Sequence, residues 1–385
     1  MNHSHDMKFH AAVAEKAPLR LPLMFGHFVP WFTLKGNDFS LPKDAMSDLN
    51  FKPKIEDYRH WNDSRSVYRR THLHMPAIGI YDSRNPDVIE WQIQTALRFG
   101  VSGFIINWYG KHSVENILTL HFLRGLKRWN DAHPDQPFLY FFSIDSQCLW
   151  PSEGKQPVRL EEDFAYIRQH LIHDAYLHRD GHPVFSVFPY ENNVATWRKA
   201  LNSVWDENGA DLIWMNSAPG GGENAFYPWI QPDKDAVDLS SSYTWQNPDN
   251  VGDAWLTQLY HSASSLKQPP EYMMAGVWPG FDDQLVSWAW NADPENPKIR
   301  PRVMCRETTR GNTLELTWQV YLAYLAAWAR HDATARVPVP LIQLVTWNDY
   351  AEASTVEPTR DYGEAPLSIC KTKLDEAQRI WSQRK

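Results

Sequence analysis

Eight short runs rich in β-branched and aromatic residues constrain the fold of this chain more than any other feature. Apolar runs of this length, bounded by turn-forming residues, predict buried β-strands. In chain order the runs are 21–29, 101–107, 137–144, 183–189, 211–216, 238–243, 272–278 and 340–347. Eight strands are enough to close a barrel if helices connect them.

Helical patterns lie between several of these runs. One begins at Asn85-Pro86, a cap followed by a first-turn proline, and ends at Gly100. Apolar residues with alternating three- and four-residue spacing predict further helices over 160–171, 314–328 and 374–381. Strands therefore alternate with helices, and no G-x-G-x-x-G dinucleotide turn follows the first strand. We predict an α/β protein with a single (β/α)8 barrel rather than an open doubly wound sheet.

The predicted barrel occupies residues 19–385 as one catalytic domain, and residues 1–18 are predicted to be a flexible N-terminal tail. A length of 385 residues suits one large barrel. Two long connections, 30–83 and 279–309, follow the first and seventh strands. In a barrel both emerge at the C-terminal face, where active sites are built, so we expect both to wall the cleft.

Composition excludes several classes of function. The 38 basic and 46 acidic residues give a formal charge of −8, spread without blocks, which argues against binding nucleic acid or an anionic membrane. Three widely spaced cysteines predict neither a disulfide framework nor a cysteine zinc site. His72 and His74 form an H-x-H, but no further metal-ligating residue has suitable spacing. We expect no metal and no cofactor.

Membrane spanning is not predicted either, because no apolar stretch reaches the ~18 residues needed to cross a bilayer. The N-terminal residues lack the basic-then-apolar pattern of a signal peptide. The compartment stays open between the cytoplasm and, if a signal peptide has been removed, the periplasm or the exterior.

Acids, amides and aromatics collect just beyond the predicted strand ends, with little basic character. Such a rim suits a neutral polyhydroxylated ligand, and flat aromatic side chains suit the C–H faces of sugar rings. A packed, tryptophan-rich core must nevertheless account for most of the 19 tryptophans. The predicted substrate-binding residues are His27, Trp31, Tyr81, Asp82, Trp108, Tyr109, Asp145, Tyr190, Asn216, Tyr243, Trp278, Asp282, Asn348 and Glu357.

The eighth run delivers two carboxylates, Asp349 and Glu352, where the chain leaves a buried strand. Hydrolysis of a glycosidic bond needs two carboxyl groups in different protonation states beside one anomeric carbon. Side chains three residues apart on a helical turn lie about 5–6 Å from each other at Cβ, so one turn can supply the pair. The alternative is a strand-to-helix cap in which Asn348 or Asp349 accepts backbone N–H groups. With the sugar-suited rim, we predict that Asp349 and Glu352 are catalytic.

Several ordered segments resemble the glycoside hydrolase family 99 and family 71 group, which comprises endo-α-mannosidases and endo-α-1,3-glucanases. They are FGHFVPWF, MPAIGIYDSRNPDVIEWQIQTALRFGVSGFIINWYG, YLHRDGHPVFSVF, WPGFDD and TWNDYAEASTVEP, and together they span most of the chain. The last is the most specific. Family 99 proteins carry W-N-E-W-x-E-G-x-x-I-E-P there, and family 71 proteins carry T-W-N-D-[YW]-x-E. Here Asp349 follows the family 71 form, and Ala353 stands where glycine is usual.

The resemblance implies a (β/α)8 endo-glycosidase that acts on α-linked sugars without a metal. It also implies that Asp349 is the base, which in family 99 deprotonates the sugar 2-hydroxyl to give an anhydro-sugar intermediate, and that Glu352 is the general acid/base. We therefore expect an endo-acting glycoside hydrolase specific for an α-glucan or α-mannan type of substrate. Two alternatives stay open: the related domain found with bacterial polysaccharide-assembly glycosyltransferases, and a non-catalytic carbohydrate-binding barrel.

Overall fold

Eight parallel strands close into a barrel in the computed structural model of the chain. It describes residues 7–14, 19–34, 60–61, 72–146, 160–189, 193–216, 223–231, 251–283, 285, 303–304 and 311–384. The strands are β1 (Leu23–Phe28), β2 (Val101–Trp108), β3 (Leu139–Asp145), β4 (His182–Phe188), β5 (Asp211–Met215), β6 (Ala225–Tyr227), β7 (Tyr272–Val277) and β8 (Leu341–Leu344). Each strand pairs in parallel with the next, and β8 pairs with β1. The predicted (β/α)8 fold is therefore confirmed.

Helices connect most of these strands. They are α1 (Pro86–Arg98), α2 (Val114–Ala132), α3 (Leu160–Tyr166), α4 (Val194–Trp205), α5 (Asp253–Ser265), α6 (Gly311–Ala329) and α7 (Ala365–Gln383). The side chain of Asn85 accepts the N–H of Asp87, so the predicted cap of α1 is present. Gly100 follows the helix with φ +79°, a left-handed conformation that glycine adopts without strain.

The sixth barrel strand differs from the prediction. The run 238–243 lies outside the described residues, and its place in the barrel is taken by β6, in which Ala225 pairs with both Ile213 and Tyr272. The predicted position of the sixth strand is therefore wrong. The strand has only three residues, Ala-Phe-Tyr, which are too few to show a periodic pattern in the sequence. Pairing with the neighbouring strands, rather than a local pattern, holds them in the barrel.

Residues 7–14 belong to the folded barrel, although the sequence predicted a flexible tail over 1–18. Phe9–His10 pairs antiparallel with His178–Arg179, which leads into β4. Phe9, Ala11 and Ala14 are buried, and the ring of Phe9 packs edge-on against Tyr272 at 5.8 Å between centroids. The tail prediction is wrong for these residues, because their apolar side chains cover the N-terminal end of the barrel.

Aromatic residues fill the barrel, and an ion pair closes its N-terminal end. Phe25 on β1 meets Phe141 on β3 at 5.1 Å between ring centroids; these strands are not neighbours, so the contact crosses the interior. Below them the guanidinium of buried Arg179 donates two hydrogen bonds of 2.8 Å to Asp211. The buried guanidinium at this end is thus neutralised by a buried carboxylate.

Candidate active site

The chain forms a closed turn where it leaves β8. Thr346 N–H donates to the carbonyl oxygen of Ser354 (2.9 Å), and Val356 N–H donates to that of Thr346 (3.0 Å). Inside the turn, Asp349 N–H donates to Thr346 Oγ1 (2.8 Å). These bonds fix the backbone of residues 346–356, which we call the catalytic turn, at the C-terminal end of the barrel.

Asp349 is buried within this turn, with 4% of its surface exposed. Its Oδ1 accepts the N–H of Glu352 at 3.0 Å, and its carboxylate is also bonded by the N–H of Ala351. Burial raises the pKa of Asp349 from 3.8 to about 6, although the two backbone N–H groups oppose the rise. Asp349 therefore caps the turn, as the alternative interpretation expected, and it also ionises near neutral pH, as a general base must.

Glu352 lies three residues further on and is only partly buried. Its backbone N–H is held by Asp349, and its carbonyl oxygen accepts the N–H of Asp282 at 2.8 Å. Asp282 belongs to the short strand Phe281–Asp282, which pairs with Val303–Met304. The connection after β7 thus borders Glu352, and the structure brings Asp349, Glu352 and Asp282 to one side of the mouth.

His27 forms part of the barrel floor next to the catalytic turn. Its carbonyl oxygen accepts the N–H of Trp347 at 2.7 Å, and its imidazole Nδ1 lies 3.5 Å from Gln343 Nε2. The ring also packs edge-on against Trp229 at 4.7 Å between centroids. Burial lowers the pKa of His27 to about 3, with Asn107 opposing the change, so the imidazole is neutral at physiological pH. It can donate and accept hydrogen bonds but carries no charge.

Two further predicted residues lie at the ends of β2 and β3. Tyr109 is partly buried, and its hydroxyl accepts a 2.8 Å bond from Asn107 Nδ2. Asp145 is buried at the end of β3. Burial of Tyr227 is the largest cause that raises the pKa of its hydroxyl, and the nearby charge of Asp145 raises it further. His27, Asn107, Tyr109 and Asp145 therefore form a polar floor that continues to the rim at Tyr109.

An aromatic cluster from the connection after β1 packs against the catalytic turn. Phe32 stacks on Trp61 at 4.1 Å between ring centroids, and Tyr350 of the turn lies 5.6 Å from Trp61. Trp31 stacks on His60 at 4.3 Å and lies 6.4 Å from Tyr109. The described parts of this connection thus lie at the C-terminal face, as predicted. Trp288 and Trp290 of the second long connection lie outside the described residues.

A buried carboxylate, Glu357, holds the aromatic cluster to the catalytic turn. Four side chains donate to it: Tyr81 (2.9 Å) and Tyr350 (2.6 Å) to Oε2, and Gln92 (2.6 Å) and Trp347 (2.9 Å) to Oε1. Asn348 is tied to the same group, because its Nδ2 donates to the Tyr81 hydroxyl at 3.1 Å while its Oδ1 accepts the N–H of Val29. We call Glu357 and its four donors the Glu357 cluster.

A profile of the family described as "Glycosyltransferase WbsX" matches residues 61–370, most of the chain. The chain belongs to the WbsX family. No curated protein sequence matches it significantly.

Solved structures share the barrel. An endo-α-mannosidase of glycoside hydrolase family 99 from Bacteroides thetaiotaomicron, in complex with bis-tris-propane, has 15% identity and a TM-score of 0.59, covering 94% of this chain and 98% of that one. A second structure of a Bacteroides thetaiotaomicron family 99 endo-α-mannosidase has 14% identity and a TM-score of 0.57, covering 93% and 98%. A protein titled "Glycoside hydrolase-like protein" has 14% identity and a TM-score of 0.56, covering 87% and 99%. At these identities the likeness establishes the common fold.

Two tryptophans predicted to bind substrate are core residues of this WbsX-family barrel. Trp108 is 0% exposed, and its indole N–H donates to Asn116 of α2 at 3.0 Å. Trp278 is also 0% exposed, and its indole N–H donates to the carbonyl oxygen of Val251 at 3.1 Å. Side chains on a strand alternate between its two faces, so Trp108 faces the helices while Asn107 faces the interior. The prediction of substrate contact is wrong for these two residues.

Other predicted substrate-binding residues hold loops of the WbsX-family chain in place. Asp82 accepts hydrogen bonds from the Arg84 guanidinium (2.7 and 2.8 Å) and from Leu34 N–H (2.9 Å). Asn216 accepts the N–H of Trp229 at 2.7 Å. Tyr81, Asn348 and Glu357 belong to, or are bonded to, the Glu357 cluster described above. Tyr81, Asp82, Asn348 and Glu357 are buried and hydrogen-bonded within the protein, so we correct these four from substrate contacts to structural supports. Asn216 is only partly buried and stays a predicted substrate contact.

Three members of the Glu357 cluster, Gln92, Trp347 and Tyr350, were not among the predicted site residues. Gln92 is buried on the core-facing side of α1, next to Ile89 and Ile93. A polar residue within an apolar helical stripe was the available signal, because such a residue needs a buried partner. Tyr190 and Tyr243, which the sequence predicted as substrate-binding, lie outside the described residues.

The described residues of this WbsX-family chain include no group of three or more His, Cys, Asp or Glu side chains that could hold a metal ion. His74 Nδ1 lies 2.9 Å from Asp361 Oδ2, an ordinary polar contact. Among the described helices, none is both long and apolar enough to cross a membrane.

Proposed function

We propose that this chain is a glycoside hydrolase that cleaves an α-linked polysaccharide or oligosaccharide, of the α-glucan or α-mannan type, at internal bonds. The observation that carries the proposal is the pair of carboxylates on one turn at the C-terminal mouth of a (β/α)8 barrel. Asp349 is buried, with a pKa of about 6, and Glu352 is partly open to solvent. The two carboxyl groups thus lie in different environments, as glycosidic cleavage requires; the assignment of Asp349 as base and Glu352 as acid rests on the resemblance to family 99.

In the proposed first step, Glu352 gives its proton to the glycosidic oxygen while the bond from that oxygen to the anomeric carbon breaks. Asp349 takes the proton of the sugar 2-hydroxyl, and the 2-oxygen bonds to the anomeric carbon. In the second step Glu352 takes a proton from water, whose oxygen attacks the anomeric carbon and opens the anhydro ring. Asp349 returns its proton to the 2-oxygen, so both carboxyl groups regain their starting states.

The surroundings of the pair support a neutral substrate. The C-terminal end of the barrel holds the acids Asp145, Asp282 and Glu352, the amide of Asn107 and the aromatic side chains of Tyr109 and Trp31, of which Glu352 and Tyr109 are partly exposed and the others buried. A neutral sugar meets such a surface without the repulsion that a phosphate or diphosphate would experience. The neutral imidazole of His27 adds hydrogen-bonding capacity in the floor without adding charge.

A second candidate is glycosyl transfer in polysaccharide assembly, which the description of the WbsX family favours. The same two carboxylates would then activate a sugar hydroxyl instead of water. A non-catalytic carbohydrate-binding barrel is a third candidate, which detectable cleavage would dismiss.

The test is a screen of α-1,3-glucan, α-mannan and related oligosaccharides, with products separated by size. We expect shorter oligosaccharides from the wild-type chain and loss of activity in both Asp349→Asn and Glu352→Gln. The parallel arm offers activated sugar donors together with an oligosaccharide acceptor. Elongation of the acceptor in this arm, with no cleavage in the first arm, would show that the chain catalyses transfer and not hydrolysis.

A further inference from the structure

We propose that Glu357 is a positioning residue that holds the catalytic turn, and with it Asp349, in its working geometry. The catalytic role of Asp349 in this inference rests on the proposed function. Glu357 is 1% exposed and lies five residues beyond Glu352, so it does not reach the mouth itself. Its effect on the site must therefore pass through the side chains that donate to it.

Those side chains flank Asp349 on both sides. Trp347, two residues before Asp349, donates its indole N–H to Oε1, and Tyr350, the next residue after Asp349, donates its hydroxyl to Oε2. Asn348 is held through the Tyr81 hydroxyl. One carboxylate thus fixes the direction of the residues before and after the base, while Gln92 and Tyr81 anchor that carboxylate to residues outside the turn.

The chemistry of the cluster favours a fixed geometry. All four partners are neutral donors, and burial raises the pKa of Glu357 to about 6 while the four hydrogen bonds oppose the rise. At neutral pH an ionised carboxylate accepts all four bonds, and hydrogen bonds to a charged acceptor are roughly twice as strong as neutral ones. Each donor loses that partner if it moves, so the carboxylate restrains all four at once.

Replacement of Glu357 by glutamine preserves shape but not this pattern. A glutamine keeps one acceptor oxygen and brings an NH₂ group into a space lined by donors. The Trp347 indole can only donate, and the Tyr81 hydroxyl already accepts bonds from Asn348 and Gln92 (3.1 and 3.3 Å). At least one of the four donors therefore faces another donor, and the remaining hydrogen bonds are weaker because their acceptor is no longer charged. We expect a folded variant whose catalytic turn is loosened.

The first test is amide hydrogen–deuterium exchange of wild type, E357Q and a control, D211N, at pH 7. Asp211 is also a 1% exposed, hydrogen-bonded carboxylate, but it lies at the opposite end of the barrel. In E357Q we expect exchange to quicken about tenfold in peptides covering 345–356, the loss expected for about one hydrogen bond to a charged group. D211N is expected to leave those peptides unchanged. This readout needs no turnover, so it stands whether or not the chain hydrolyses sugars.

The second test uses the substrate identified by the screen. We expect E357Q to lower kcat about tenfold or more with little change in KM, since a misplaced base affects the chemical step rather than binding. D211N is expected to keep the wild-type kcat at temperatures where it is folded. Removal of one donor by Y350F is expected to loosen the same peptides and lower kcat in the same sense.

Three outcomes separate the claims. Unchanged exchange over 345–356 in folded E357Q, or faster exchange spread evenly over the barrel, would overturn the positioning role. A wild-type chain that cleaves and a folded E357Q with the same kcat would also overturn it while leaving hydrolysis intact. A wild-type chain that cleaves no substrate would refute the proposed function, and the exchange data would still decide whether Glu357 holds the turn.

Discussion

Substitution of Asp349 by asparagine is expected to stabilise the fold while abolishing activity. Burial raises the pKa of this carboxyl from 3.8 to about 6 in the folded chain. In the unfolded chain the Asp349 carboxyl ionises near pH 3.8. Its ionisation therefore begins to disfavour the folded state as the pH rises through 3.8, and the full free-energy cost to the folded state is present above pH 6. Asparagine keeps an oxygen for the N–H groups of Ala351 and Glu352 but is never ionised.

The size of the effect follows from the two pKa values. Each pH unit between them corresponds to about 1.4 kcal/mol, so the ionised Asp349 costs the folded state on the order of 3 kcal/mol at pH 7. The same linkage leaves a cost of about 1 kcal/mol at pH 4.5. For a chain of this length, a gain of about 3 kcal/mol raises Tm by roughly 3–4 °C.

The assay is thermal unfolding, followed by tryptophan fluorescence, of wild type and Asp349→Asn between pH 4.5 and 7.5. Glu161→Gln, at an exposed position on α3, controls for removal of a carboxylate without removal of a buried charge. We expect the advantage of Asp349→Asn to grow from pH 4.5 to about 6 and to level off above it, and that of Glu161→Gln to stay near zero. An Asp349→Asn chain that is less stable than wild type at pH 7, or whose difference does not change with pH, would refute the reasoning.

Two further predictions concern catalysis. Glu352→Gln should lower kcat at least ~10²-fold on a natural oligosaccharide and less on an aryl glycoside with an activated leaving group, because loss of the general acid matters most for poor leaving groups. A wild-type kcat in this variant would show that Glu352 is not the acid. The kcat/KM of the wild-type chain should rise with pH through about 6 as Asp349 ionises. Initial rates between pH 4.5 and 8 measure this profile, and a flat profile across that range would exclude Asp349 as the base.

The barrel was predictable because most of its strands are long apolar runs and its helices carry clear stripes. β6 was not, because Ala225–Tyr227 is held by pairing with β5 and β7 rather than by a local pattern. Trp108 and Trp278 were misassigned for a related reason. Parallel strands are buried on both faces, so alternation along an apolar strand does not reveal which side chains face the interior.

The Glu357 cluster lay beyond sequence reasoning for another reason. Gln92 is 265 positions from Glu357 along the chain, and Tyr81 is 276 positions away. Only the closure of the barrel brings them together. In contrast, Asp349 and Glu352 are close in sequence, and their joint position at the end of β8 followed from the strand alone. The position of this pair was therefore predictable, whereas the side chains that support it were not.

The most direct test of the central claim is proton NMR of a fresh digest of an α-linked oligosaccharide, recorded before mutarotation. Carboxyl groups about 5–5.5 Å apart favour retention and those about 6.5–9.5 Å apart favour inversion, but a base that acts on the 2-hydroxyl never attacks carbon and escapes this rule. We predict that the first new reducing end is the α-anomer and that Glu352→Gln forms it at least ~10²-fold more slowly. An initial β-anomer would make Asp349 the base for water instead, and a folded wild-type chain that releases no reducing ends from any α-linked substrate would contradict the account.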